Sequence, residues 1–318
     1  MKRPGVAATA LLLTLGFSWG TATPSVAAPM FLSTPSPVRQ EGRHPKSAAQ
    51  TISIPHPVSF RTVKHLGLLI RVWVNNTGPY NFAVDTGAGI TVIGEHVATS
   101  AATGHPGSQV TLGGLSGLSR TSGRTTVMRS LAIGDQANSL RSNQQAIIID
   151  NLPAGIDGVL DPTDAYSPLG YSIDLPRHEM SAFDPSNSPL NIRDVPEGGT
   201  VVRWIAGSSR RPFVRLGDGR LALLDTGSGF GLAVRNVVPG DEKRRAGVRD
   251  LGGGEVTSER VDPSTISIGA LVLRGVPTDL ITGAEKDAPI LLGRDALYPF
   301  RLTFDPIQRL IEIAPVNP

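Results

Sequence analysis

With 318 residues, 40% of them hydrophobic and only 5% aromatic, the chain is long enough for one large or two ordinary domains and apolar enough to bury a core. Lys and Arg number 30 against 27 Asp and Glu, a net charge of +3, and setting aside Lys2 and Arg3 leaves near-balance, which excludes a nucleic-acid footprint. The chain has no cysteine, which excludes disulfides and thiolate chemistry, and its 36 Gly and 26 Pro favour short strands and many turns over long helices.

The N-terminus opens with Lys2 and Arg3, an apolar run from Val6 to about Gly20, and then the small residues of "TATPSVAAP". That is the layout of a secretory signal peptide over residues 1–28, with cleavage after Ala22, Ala27 or Ala28. The run is short for a membrane span, which needs about 20 apolar residues. The expected location is therefore periplasmic or secreted, without stable membrane insertion once the signal is removed. Residues 29–57 are rich in Pro, Ser and Gln and show no lasting period, so they read as a flexible linker or a removable pro-segment.

From Leu68, "LLIRVWV" alternates Ile70, Val72 and Val74 against Leu69, Arg71 and Trp73, the period of a strand. "NNTGP" turns it, and "YNFAV" is the partner strand that ends at Asp85. The phrase around that acid, "FAVDTGAGITVI", returns as "LALLDTGSGFGLAV" from Leu221 to Val234, again after a strand ("PFVRL") and a turn ("GDG"). A given tripeptide falls by chance about once in 8,000 positions. Two copies of Asp-Thr-Gly, each at the end of an apolar strand and each followed by a small residue and a further Gly, are hard to assign to plain turns.

The likeness continues downstream. "GGLSGLSRTSGRTTVMRSLAIGD" (113–135) parallels "LGGGEVTSERVDPSTISIGA" (251–270), each a glycine-rich bend, a polar strand and a strand ending Ile-Gly. "IDGVLD" (156–161) then parallels "PILLGRDAL" (289–297), and each half closes on an acid-centred strand, "YSIDLPRHEMSAF" and "FRLTFDPIQRLIEI". Two consecutive copies of one all-β unit account for this, spanning 58–183 and 196–318 and joined by a linker at 184–195.

"DTGAG" and "DTGSG", together with "DGVL" and "LLGRDAL", resemble the aspartic peptidases. The second half is similar to the retroviral-type unit, and the "IDGVL" of the first is closer to the pepsin-type lobe. The resemblance runs from about Val58 to Pro315. It implies an all-β, bilobed acid-protease-like fold of two related barrel-like lobes with a cleft between them. One chain then completes the site, so a monomer is expected.

In that fold Asp85 and Asp225 are the catalytic pair. Two carboxylates about 3 Å apart share a proton: the ionised one takes a proton from a bound water and the protonated one polarises the scissile carbonyl. No cofactor and no metal are required. Thr86, Gly87 and Ala88, with Thr226, Gly227 and Ser228, form the supporting loops. A bond from the Ser228 hydroxyl to Asp225, which Ala88 cannot make for Asp85, assigns Asp225 as the base. Gly113, Gly114, Leu115, Ser116 and Gly117 fall where a substrate-covering flap lies in the family, although an ordinary glycine-rich hairpin explains them equally well.

Two positions depart from the family pattern: Asp161 stands where glycine follows the apolar pair, and Gly231 where Thr or Ser is preferred, the role Thr91 fills in the first half. Other chemistries have less support. The six histidines show no HExxH spacing, no G-x-S-x-G surrounds "GLSGLS", and Arg210–Arg211 and Arg244–Arg245 read as solvated surface. The expected function is an aspartic endopeptidase acting on polypeptides. The alternative is a catalytically weak peptide-binding or inhibitory protein on the same fold.

Overall fold

In the computed structural model, residues 11–12, 53–115, 120–205, 210–236, 245–250 and 254–316 are described. Most of them lie in strands. The segment Gly67–Val74 is buried along its length except at Arg71 and Trp73, as its alternation of β-branched residues requires. It turns through Asn75 and Asn76, both with positive φ (49° and 65°), a conformation Asn tolerates and a two-residue hairpin demands. The turn is shorter than the sequence suggests: Thr77, Gly78 and Pro79 already belong to the returning strand Thr77–Val84.

A nine-stranded sheet is laid out in the order Arg61–Val63, Gly67–Val74, Thr77–Val84, Gly158–Leu160, Val92–Gly94, Gln144–Ile149, Arg120–Met128 and Gln109–Gly113, with Leu131–Ile133 paired onto Gly67–Val74. An eight-stranded sheet follows the order Phe213–Arg215, Leu221–Asp225, Ile290–Gly293, Leu232–Arg235, Leu271–Thr282, Glu255–Ile268 and Arg245–Asp250, ending on Leu11–Leu12. From Gly67–Val74 and from Phe213–Arg215 onward the two orders correspond strand for strand. The senses of pairing also correspond: antiparallel, parallel, antiparallel, parallel, antiparallel, antiparallel. One difference stands out. Arg120–Met128 and Leu131–Ile133 are separate strands, whereas Glu255–Ile268 runs on as one strand with register shifts on either side of Ser264.

Leu11–Leu12, inside the stretch read as a signal peptide, pairs in parallel with Arg249–Asp250. The remainder of that stretch, and the linker up to residue 52, lie outside the described residues.

A third, six-stranded sheet takes strands from both halves of the sequence, in the order Thr200–Arg203, Leu310–Pro315, Phe300–Asp305, Gly170–Asp174, Glu179–Phe183 and Val58–Ser59. At its centre Gly170–Asp174 and Phe300–Asp305 run antiparallel, and Tyr171 stacks on Phe304 with ring centroids 4.7 Å apart. The acids at the ends of these strands organise the turns that follow: Asp174 accepts from the Arg177 N–H, and Asp305 from those of Ile307 and Gln308.

The largest apolar cluster is continuous through both halves, joining Val72, Leu160 and Tyr171 to Leu224, Leu292 and Phe304. On the opposite face of the first sheet, Ala83, Val92, Ile147 and Val159 form a second cluster. On the matching face of the second sheet, Leu223, Phe230, Ala233 and Leu291 form a third. The described helices are short (Glu95–Ser100, Pro162–Ala165 and Arg294–Leu297), and none is long and apolar enough to cross a membrane.

Candidate active site

The strands that carry the two acids enter the interior through apolar residues, Phe82 to Val84 and Ala222 to Leu224, all at most 1% exposed. Each strand is flanked in parallel by a second short apolar strand. Asp85 and Asp225 are consequently both 0% exposed. The Asp85 N–H donates to the Leu160 carbonyl at 3.0 Å, and Asp225 lies in register with Gly293.

The threonines tie the two triplets together. The Thr86 N–H donates to Thr226 Oγ1 and the Thr226 N–H donates to Thr86 Oγ1, both at 3.1 Å. The same hydroxyls then donate onward: Thr86 Oγ1 to the Leu224 carbonyl at 2.7 Å, and Thr226 Oγ1 to the Val84 carbonyl at 3.2 Å. Each hydroxyl thus accepts one bond and donates another across the junction, which satisfies four buried backbone groups.

The glycines set how closely the acids approach. A Cβ placed on Gly87 would lie 3.0 Å from Asp225 Cγ, and one placed on Gly227 would lie 2.5 Å from Asp85 Cγ. Each carboxyl therefore packs against the glycine of the opposite triplet, an approach that needs a residue without a side chain. Within its own loop, Asp85 Oδ1 accepts from the Gly87 N–H at 2.7 Å, and Asp225 Oδ1 accepts from the Ser228 N–H at 3.0 Å. The Oδ2 atoms of both acids are buried, and no other residue donates to them.

The two acids differ electrostatically. Burial, followed by the charge of Asp225 and a hydrogen bond to it, pushes Asp85 well above the usual carboxylate range. Burial also raises Asp225, but only to about 6. It is held down by accepting from Asp85, by the Ser228 N–H and by the Arg294 guanidinium. Asp85 is thus the acid that retains a proton, and Asp225 the one that ionises first.

This asymmetry has a different source from the one expected. The Ser228 hydroxyl accepts from the Phe230 N–H at 3.3 Å, and Ser228 meets Asp225 through its backbone N–H instead.

Arg294 opens the short helix after "LLG". Its Nη1 donates to the carbonyls of Thr226 and Gly227, so a partly buried cation braces the second loop beside Asp225. The sequence signal for it was an arginine placed directly after a buried apolar run. Arg211 likewise departs from the solvated-surface reading. It is half-buried, lies over the Phe213 ring at 5.6 Å, packs against Gly89 of the first loop and senses the charges of both acids. Arg210 is exposed and pairs with Asp164. The side chains of Arg244 and Arg245 lie outside the described residues.

Of the remaining residues singled out in the sequence, Ala88 is fully buried in the first sheet's cluster. Gly113 ends the strand Gln109–Gly113, and Gly114 and Leu115 follow it. Leu115 is carried into the second sheet's cluster, among Leu223, Phe230 and Leu291. Ser116 and Gly117 lie outside the described residues.

A protein-family model, aspartyl protease, matches residues 70–163. The matched stretch contains the first triplet, Thr91 and Asp161, while Asp225 lies beyond it. The match supports an aspartic peptidase relationship. No curated protein matches the chain.

Proposed function

We propose that this chain is a single-chain aspartic endopeptidase in which Asp85 and Asp225 share one proton around a water molecule. The observation that carries this reading is the meeting of two fully buried carboxyls, each against the opposite glycine and each with an Oδ2 to which no other residue donates. A single proton held between them satisfies both oxygens and leaves a net charge of −1 on the pair.

In the reaction the ionised Asp225 takes a proton from the water as its oxygen attacks the scissile carbonyl carbon. The protonated Asp85 donates to the carbonyl oxygen. The tetrahedral gem-diol collapses as Asp225 passes its proton to the amide nitrogen and Asp85 recovers one from a diol hydroxyl, breaking the C–N bond to release an amine and a carboxylic acid and restoring the pair. Thr86, Thr226 and Arg294 hold the loops, and Gly87 and Gly227 allow the close approach. The matching strand orders of the two larger sheets support duplication of one unit into the lobes 58–183 and 196–318, with the pair at their junction. The segment Gly113–Gly117 acts as a flap over bound peptide. The substrate is polypeptide, the working form is a monomer, and the signal-like N-terminus directs the chain to the periplasm or beyond.

Hydrolysis of a denatured protein by the wild type, Asp85→Asn, Asp225→Asn and the double variant tests this. Each single variant should lose nearly all turnover, and the double variant should be little worse than either. Near-normal turnover in either single variant overturns the reading. Peptide binding without turnover in the wild type points instead to a binding protein on this fold.

A further inference from the structure

A third carboxyl lies beside the pair. The strand Gly158–Leu160 runs parallel to Thr77–Val84 with Leu160 in register with Val84, so Asp161 and Asp85 are the next residues on neighbouring strands. Asp161 is 1% exposed. Its Oδ1 accepts from the Thr163 N–H at 3.0 Å as the cap of the helix Pro162–Ala165, and its own N–H donates to Thr91 Oγ1 at 3.2 Å. Its Oδ2 is buried without a partner. At the equivalent point of the second half is Gly293, where a Cβ would meet the Phe230 carbonyl oxygen at 2.5 Å and that of Ser228 at 2.8 Å. The extra carboxyl therefore belongs to the Asp85 side alone.

We propose that Asp161 is a positioning residue that acts through Asp85: once ionised, it repels negative charge on the pair and so keeps the shared proton in place to higher pH. The proposal rests on the reading of Asp85 and Asp225 as a proton-sharing pair.

The groups around Asp161 are mixed. Asp164 on its own helix and Asp85 on the neighbouring strand carry like charge, and Arg210 carries opposite charge. The Tyr171 hydroxyl, bonded to Thr163 Oγ1 at 2.8 Å, faces it from the six-stranded sheet, and Thr91 faces it from the loop before Val92–Gly94. Burial, then the charge of Asp164, pushes Asp161 up to about 7, against the N–H groups of Thr163 and Asp164 and the charge of Arg210. In acid it is neutral and has no charge to act on the pair. Near neutral pH it ionises, and its charge then opposes removal of the pair's last proton. Only the alkaline side of the activity profile should respond.

The test is the pH dependence of kcat/KM on one peptide substrate for the wild type, Asp161→Asn, Asp161→Ser and Asp161→Glu, with Asp85→Asn and Asp225→Asn run alongside. Asn and Ser keep the helix cap and remove the charge, whereas Glu keeps the charge. The expected result is an alkaline limb moved to lower pH in the Asn and Ser variants, an acid limb unmoved, and a limb restored toward wild type in the Glu variant. A profile that falls in height with neither limb displaced means that Asp161 only caps its helix, and overturns the proposal. Turnover that persists in Asp85→Asn or Asp225→Asn overturns the underlying pair instead. Should the variants fail to fold, 13C titration of the wild-type carboxyls decides. The pair's second ionisation either responds to ionisation of Asp161, as expected, or is independent of it, which overturns the proposal.

Discussion

Gly227 faces the carboxyl of Asp85 so closely that a Cβ at 227 would lie 2.5 Å from Asp85 Cγ and 2.6 Å from its Oδ2, inside any allowed contact. The reciprocal pair is looser, with Gly87 leaving 3.0 Å to Asp225 Cγ. Gly227→Ala should therefore displace Asp85 and remove nearly all peptide hydrolysis. Gly87→Ala should retain a measurable fraction, because a shift of a few tenths of an ångström accommodates it. Side-by-side turnover assays with melting curves check this. Equal losses in the two variants would show that the approach of the carboxyls is not what the glycines protect.

Thr86 and Thr226 exchange N–H donors and then reach past each other to the Leu224 and Val84 carbonyls. Valine has the same shape but leaves buried N–H and C=O groups unpaired. Thr86→Val and Thr226→Val should each cost roughly 2–3 kcal/mol of stability. Thr86→Val removes the two bonds made through Thr86 Oγ1 and Thr226→Val the two made through Thr226 Oγ1, but either loss loosens the same junction, so the double variant should cost clearly less than the sum. Thr86→Ser should remain near wild type. Denaturant melts of the four proteins measure the coupling, and simple additivity would mean that the two hydroxyls act independently.

The pairing of the two Asp-Thr-Gly phrases could be read from the sequence because each acid ends an apolar strand, and burying a charge at such a point requires a reason. The strand order around each phrase was equally readable as far as its hairpins, where Asn75–Asn76 and "GDG" announce turns. The six-stranded sheet was not. It joins Tyr171 to Phe304 and Val58 to Met180 across long separations, and nothing local in a short buried strand names its partner. The roles of Arg294 and Arg211 were hidden for a related reason. Arg211 stands in an arginine pair and Arg294 next to Asp295, and a charged residue in such company looks solvated until the fold places it near a buried acid. The Ser228 hydroxyl was misjudged because a backbone N–H, which no side-chain pattern records, already serves Asp225.

Stability should fall as pH rises, the reverse of the usual behaviour of salt-bridged carboxylates. Asp85, Asp161, Asp164 and Asp225 are all raised in the folded chain, chiefly by burial, with Asp225 at about 6 and Asp161 at about 7. The folded state thus holds protons that the unfolded chain releases near pH 4. The stabilisation is complete below that pH and is lost as pH rises through 6 and 7. For Asp161 the difference is on the order of 4 kcal/mol. Asp161→Asn should match the wild type in melting temperature at pH 4 and exceed it at pH 8. Equal differences at the two pH values would place Asp161 in contact with solvent.

Leu115 offers the last test, because it belongs to the hairpin of the first sheet but is buried in the apolar cluster of the second. Its side chain is 3% exposed, and the space it shares with Ala233, Ile281 and Leu291 leaves no room for a water molecule. Its carbonyl accepts from the Glu285 N–H at 3.1 Å, a backbone bond between the two halves. Leu112, three residues earlier, is buried to a similar degree but packs within the first sheet's own cluster. Truncating either leucine should cost about 2–4 kcal/mol, since each leaves a cavity. Only Leu115→Ala should release the contact between halves. Hydrogen exchange at the Glu285 amide should then accelerate more than at amides of the strand Leu221–Asp225, whereas Leu112→Ala should leave that ratio unchanged. If the Glu285 amide responds equally to both truncations, the hairpin is held to the second half by something other than Leu115, and the flap role assigned to Gly113–Gly117 loses its anchor.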